Sequence, residues 1–227
     1  MGSNGLPDPT DTKAPPDTEK LDWQRPIVAV DIALLTLDPE RGLVVVEMWR
    51  DDTDSWALPG VFLRWRETLS DAVRRCLRDK VGVEGIRQRQ LHVFDDPDRD
   101  NRDRVLSVAH AAVVRPDRLS SLGEGVDTPI RLAPVDRPGE LAWDHSDIVR
   151  LAKHDVRSRY RESADPDHLL GREFTLRELF EVHQAVLGMA EKPDRFRREM
   201  VDRLERTDLI QETGGRGRPA ELFRRKR

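Results

Sequence analysis

Apolar residues run or alternate through the first two thirds of the chain, then recur at helical spacing broken by glycines. Residues 27–37 (IVAVDIALLTL) form an apolar, β-branched run, which predicts a buried strand. The turn Asp38-Pro39-Glu40-Arg41-Gly42 follows, and Leu43–Trp49 reads as a second strand, giving a hairpin. A polar loop, Asp51–Ser55, leads into Trp56-Ala57-Leu58-Pro59-Gly60. Leu69, Ala72, Val73, Cys76 and Leu77 then recur at i, i+3, i+4, i+7 and i+8, one apolar helix face, with Gly82 as its stop. Residues 86–94 and 104–115 predict strands separated by the very polar stretch Asp95–Asp103, and residues 117–129 predict a loop. Asp144 precedes a helix ending near Tyr160.

Beyond residue 172 the pattern changes. Thr175-Leu176-Arg177-Glu178 is a capping box, and Leu176, Leu179, Phe180, His183 and Leu187 continue at helical spacing up to Gly188. Pro193 opens another helix, with Phe196, Met200 and Leu204 on its inner side. Leu209–Thr213, the glycine-rich Gly214–Pro219 and Ala220–Arg224 predict strand, turn and strand. Helix, helix and β-hairpin outline a winged helix. The expected layout is a disordered arm at 1–22, an α/β domain at 23–160, a linker at 161–172 and the winged-helix domain at 173–227.

Charge adds a direction to this layout. The chain of 227 residues has a net charge of −4, yet residues 214–227 carry Arg216, Arg218, Arg224, Arg225, Lys226 and Arg227 against Glu221 alone. A basic end on an acidic body points to a polyanionic partner; a solvated tail is the alternative. Cys76 is the single cysteine, which excludes an internal disulfide. No apolar run reaches the ~20 residues of a membrane span, and no basic-then-apolar leader opens the sequence, so a cytoplasmic chain without membrane contact is expected. The six histidines show no metal-binding spacing, and no cofactor is expected. His92 and His110 fall within predicted strands, where packing or hydrogen bonding is the expected role.

Trp56-Ala57-Leu58-Pro59-Gly60 followed by Glu67, Arg75, Gly82 and Val83 resembles the Nudix family, whose box reads Gly-x5-Glu-x7-Arg-Glu-U-x-Glu-Glu-x-Gly-U, with U a large aliphatic. Aligned on Glu67, the first glycine falls on Val61, and the three later glutamates become Cys76, Asp79 and Lys80. The resemblance implies an α/β/α sandwich. In that family pyrophosphate hydrolysis needs a divalent cation, and magnesium wants a cluster of carboxylates on one helix face. That face here offers a thiol, one shorter carboxylate and an ammonium. The expectation is a nucleotide pocket without its metal. Arg50, Arg64, Arg75 and Lys80 are the candidate phosphate partners, and Trp56 is a candidate to stack on a base or to pack in the core. Between Arg75 and Glu67 a loop-supporting pair is the favoured role, and Cys76 is read as a core residue.

On the helix from Pro193, Arg195, Arg198 and Arg206 are expected opposite Phe196, Met200 and Leu204, with Arg197 at the boundary. This is the arrangement of a DNA-recognition helix. Arg216 and Arg218 sit on the glycine-rich turn, the expected wing. Taken with Phe174-Thr175-Leu176 and Gly215-Arg216-Gly217-Arg218-Pro219-Ala220, nearly all of residues 25–225 resembles the Nudix-related transcriptional regulators of NAD metabolism. That resemblance implies a homodimeric repressor of NAD biosynthesis or salvage genes. It implies binding to double-stranded operator DNA and release by ADP-ribose or another NAD-related nucleotide. The rival reading is a Nudix ADP-ribose pyrophosphatase with an accessory DNA-binding domain.

Overall fold

The computed structural model describes residues 25–120, 122–124, 126–211 and 219–226. The expected arm at 1–22 lies outside the described residues. The body is a mixed sheet of β1 (Ile27–Asp38), β2 (Gly42–Arg50), β3 (Ser55–Ala57), β4 (Gly60–Phe62), β5 (Gln88–Phe94), β6 (Val105–Val113) and β7 (Ile130–Pro134). The main order is β3-β2-β1-β6-β5, with β4 paired to β1 and β7 to β2. β1 and β6 run parallel, with Asp31 opposite Ala109. β3, β4 and β7 are strands that the sequence pattern did not assign; the first two are three residues each, too short to show a period.

Alternation along β1 divides the core into two layers. Val30, Ile32 and Leu34 face α1 (Leu69–Cys76), while Ala33 and Leu35 face α2 (His145–Glu162). Helix–sheet–helix layering follows, as the Nudix resemblance implied. Thr68 caps α1 through a reciprocal box with Asp71. The helix then widens into a π turn over Leu77–Val81 before Gly82 ends it at φ 78°. Val73, Leu77 and Val81 are each essentially fully buried, worth about 2 kcal/mol apiece.

β8 (Phe174–Thr175), α3 (Leu176–Leu187), α4 (Pro193–Met200), β9 (Leu204–Gln211) and β10 (Ala220–Arg225) form the second unit, with sheet order β8-β10-β9. Thr175 caps α3, as its sequence predicted. The helix expected to carry Leu204 and Arg206 stops earlier: Val201–Arg203 form a tight 3-10 turn, and both residues lie on β9.

Residues 161–172 are packed in place of a loose linker. The buried Asp165 carboxylate accepts the amides of Leu169 (2.9 Å) and Leu170 (3.0 Å), the Tyr160 hydroxyl (3.2 Å) and the Arg225 guanidinium (2.5 Å). Arg225 also lies over the Phe174 ring. Arg224 pairs with Glu173, so these two arginines of the expected basic end have fixed partners. Val186 of α3 shares one apolar cluster with Leu35, Val45 and Val156. The turn at Gly42 (φ 71°) approaches so closely that a Cβ there would lie 3.0 Å from the Ala185 carbonyl oxygen. The two units therefore meet across a shared core.

Candidate nucleotide pocket and DNA-binding surface

A cavity of about 410 Å³ opens between β1, β4, the π turn, the loop before β6 and the start of α2. It brings together Arg50, Arg64, Arg75 and Lys80 from the sequence-derived set. Trp56 does not line it. That residue pairs its backbone with Trp49 across β2–β3, and its half-buried ring lies beneath Arg131, 4.1 Å from the guanidinium carbon. Trp143 supplies the aromatic wall instead, with the Arg102 guanidinium 4.5 Å and that of Arg50 5.6 Å from its ring centre. Its φ of 55° is unusual for a bulky residue and aims the chain sharply before α2.

Below that wall lies a buried polar cluster. Asp31 falls on the α2 face of β1 and accepts the Ser107 hydroxyl at 2.5 Å. Arg99 Nη2 and His145 Nε2 each lie 3.5 Å from its carboxylate. Burial alone would push the Asp31 carboxyl up; His145, Ser107 and Arg99 outweigh it and hold it at about 2. Arg99 also grips Asp144 with two bonds, 2.6 and 2.8 Å. Asp144 sits at the cap position of α2 but makes no side-chain cap bond, because its carboxylate is committed to Arg99. His145 Nδ1 accepts the Leu58 amide at 2.9 Å, which leaves its proton on Nε2, facing Asp31.

Gly60 is placed by the same cluster. It lies opposite Asp31 in the β1–β4 register, and a Cβ there would fall 2.0 Å from the Asp31 carboxylate. Only glycine allows this loop to pass so close to β1.

The box positions have the roles their chemistry allows. Arg75 donates twice to Glu67, at 2.7 and 2.8 Å, and once to the Phe62 carbonyl. Arg75 and the Arg64 amide hold the Glu67 carboxyl down at about 2. Asp79 pairs outward with Arg78. Burial pushes the Cys76 thiol up to about 12, so it is an inert core group. Lys80 reaches inward and donates to the Gly60 carbonyl at 2.5 Å, and burial pushes its ammonium downward.

These residues do not fit the divalent metal that the Nudix chemistry calls for. Glu67 is spent on Arg75, Asp79 faces away, and an ammonium occupies the third position. Among the described residues no group of three or more His, Cys, Asp or Glu side chains is placed to hold a metal ion. Arg64 and Lys80 have no carboxylate within ion-pair distance among the described residues, and both face the cavity.

In the second unit, Phe196 and Met200 turn inward and Arg195, Arg197 and Arg198 are exposed. Arg195 bonds Glu199 at 2.8 Å, and Arg198 bonds the Asp194 carbonyl at 3.3 Å. Arg197 has no hydrogen-bond or ion-pair partner among the described residues and flanks the groove between α3 and α4, as does Arg177. Arg216 and Arg218, expected on the wing, lie outside the described residues. His110 is buried with Nδ1 2.9 Å from the Val108 carbonyl, while His92 is exposed on β5.

Residues 25–152 match the model of the NUDIX domain, more than half of the chain. The chain belongs to the Nudix domain family. Residues 166–225 match the NrtR DNA-binding winged helix domain, so a winged helix follows the Nudix body. The chain is 28% identical over 219 residues to the ADPR responsive transcriptional repressor NtrR of Acinetobacter baylyi, covering 91% of this chain and 84% of that one. A crystal structure of Shewanella oneidensis NrtR complexed with a 27mer DNA superposes with a TM-score of 0.68 at 29% identity, covering 88% of this chain and 93% of that one. A shorter match links the Nudix part to an ADP-ribose pyrophosphatase of Methanocaldococcus jannaschii, 28% identical over 95 residues, covering 42% of this chain and 55% of that enzyme.

Proposed function

We propose that this Nudix chain is a DNA-binding transcriptional repressor whose cavity takes ADP-ribose as its releasing effector, and that it does not hydrolyse that ligand. The observation that carries the reading is one chain holding a cationic, aromatic-walled Nudix cavity with an ammonium among its box carboxylate positions, joined to a winged helix. Its relatives with both parts are named as an ADPR responsive repressor and as a DNA complex. In the cavity, Lys80 and Arg64 meet the diphosphate, because they have no carboxylate partners among the described residues to displace. Trp143 stacks on the base. Arg197 and the wing arginines Arg216 and Arg218 contact the operator, with two copies of the chain on a palindrome. NAD-metabolism genes are the targets that the sequence resemblance implies.

Two measurements test this. Fluorescence anisotropy with DNA from upstream of NAD-metabolism genes is expected to show binding that ADP-ribose weakens; no binding, or binding indifferent to the ligand, sinks the repressor reading. Incubation with ADP-ribose and magnesium is expected to leave the ligand intact. Turnover near ~1 s⁻¹ would move the chain to the pyrophosphatase class.

A further inference from the structure

α2 touches both ends of this proposed function. Its 18 residues extend about 27 Å at 1.5 Å per residue. At its start, Trp143 and His145 line the cavity, while Asp144 is tied to Arg99, itself a cavity-lining residue. Along its middle, Ile148, Val149, Ala152 and Val156 are fully buried against the sheet and against Val186 of α3. At its end, the fully buried Tyr160 ring lies 5.2 Å, edge on, from His183 of α3, and His183 lies 4.9 Å from Phe196 of α4. Arg157 adds a second tie, donating to the Val186 carbonyl at 3.0 Å and bridging to Asp136.

We infer that α2 is the element through which occupancy of the cavity reaches the DNA-binding helix. The inference rests on the proposed effector function. No side chain of α2's own cap fixes its first turn. The position of that turn is set by the Arg99–Asp144 pair, the Leu58–His145 bond and the left-handed backbone of Trp143. An anionic ligand in the cavity competes with Asp144 for the Arg99 guanidinium, and a base stacked on Trp143 adds a contact that depends on where α2 begins. Both interactions favour one placement of α2 over another, which is what a ligand needs in order to shift an equilibrium. The helix is packed along its length and has no break, so displacement at one end is delivered to Tyr160. From there it passes through His183 to Phe196, on the inner side of the helix that carries Arg195, Arg197 and Arg198. Close packing makes this route stiff rather than diffuse.

The test compares the full-length chain with His183→Leu and Ala152→Gly, neither of which touches the cavity or the exposed face of α4. Operator affinity is measured by anisotropy with and without saturating ADP-ribose, and ADP-ribose affinity by calorimetry. Wild type is expected to lose operator affinity about tenfold or more on saturation, a typical coupling. In His183→Leu that ratio is expected to fall below about threefold, with each separate affinity within about threefold of wild type. Ala152→Gly softens the middle of α2 without altering either end and is expected to lower the ratio as well. A thermal melt checks folding; if His183→Leu does not fold, Ala152→Gly decides. Ratios unchanged from wild type in the folded variants overturn the inference. An uncoupled wild type instead overturns the proposed function on which it rests.

Discussion

Gly60→Ala offers the sharpest test of the cavity floor. The new Cβ would lie 2.0 Å from Asp31 Oδ1, 3.1 Å from the Val30 carbonyl oxygen and 3.2 Å from the Asp31 carboxyl carbon. Heavy atoms pack best at roughly 3.5–4.0 Å, so at least ~1 Å must open. The carboxylate cannot swing away freely, because it is buried and accepts the Ser107 hydroxyl at 2.5 Å. Losing a hydrogen bond to a charged group costs about 1.5–3 kcal/mol, and overpacking typically adds about 1–3 kcal/mol. About 3 kcal/mol in total corresponds to a melting point lower by roughly 6–12 °C for a chain of this size. Thermal unfolding followed by tryptophan fluorescence measures it. In an Asp31→Ala background the clashing atom is gone, so adding Gly60→Ala should cost at least ~1 kcal/mol less than it does alone. A single variant melting within about 2 °C of wild type, or additive costs in the double variant, would refute the assignment of Gly60 to the Asp31 contact.

Other outcomes follow from the same geometry. Lys80→Met should weaken ADP-ribose binding by about tenfold or more in calorimetry, since a charge-assisted contact to phosphate is worth about 1.5–3 kcal/mol; an unchanged Kd removes Lys80 from the phosphate site. Arg197→Ala should weaken operator binding and flatten its salt dependence, because a cationic contact to phosphate contributes about 0.9 to that slope; an unchanged slope would show that Arg197 makes none. Asp31 has a depressed folded pKa of about 2, so its contribution is complete above the ordinary carboxylate range and is lost as pH falls from about 4 towards 2. Urea unfolding at pH 6 and at pH 2.5 should show about 2 kcal/mol less acid loss in Asp31→Asn than in wild type; equal losses would count against the depressed pKa.

How far the sequence carries these conclusions depends on how local the signal is. The α1 face, the capping box at Thr175 and the inward Phe196 and Met200 are all set by spacing within one helix, and they are legible for that reason. Four arginine and lysine side chains of the cavity were also readable, because Arg64, Arg75 and Lys80 lie within the Nudix box and Arg50 ends the strand before it. Arg99, Trp143 and His145 were not. They come from loop ends distant in sequence, and Arg99 and Asp100 sit in a stretch so polar that exposure was the natural expectation. Both are buried because opposite charges cover each other, Arg99 with Asp144 and Asp100 with Arg102, which composition does not encode. Trp56 and Trp143 present the same side chain in similar surroundings; only the strand pairing of the first and the left-handed backbone of the second separate a packed ring from a cavity wall. The packed segment 161–172 looked like a linker because its main anchor, Asp165, binds Arg225 sixty residues away.

Cys76 gives this chain a built-in chronometer. The thiol is fully buried on α1 with its pKa pushed up to about 12, so reagents that attack thiolates reach it only when the helix opens. Because no second cysteine competes, the rate of its modification in the native protein reports the opening of the helix that carries Arg75 and Lys80. Slower labelling in the presence of a nucleotide would register ligand protection at this one position, without a mutation. Surface cysteines added elsewhere for distance measurements would react first, leaving this one as a silent internal standard until the fold gives way.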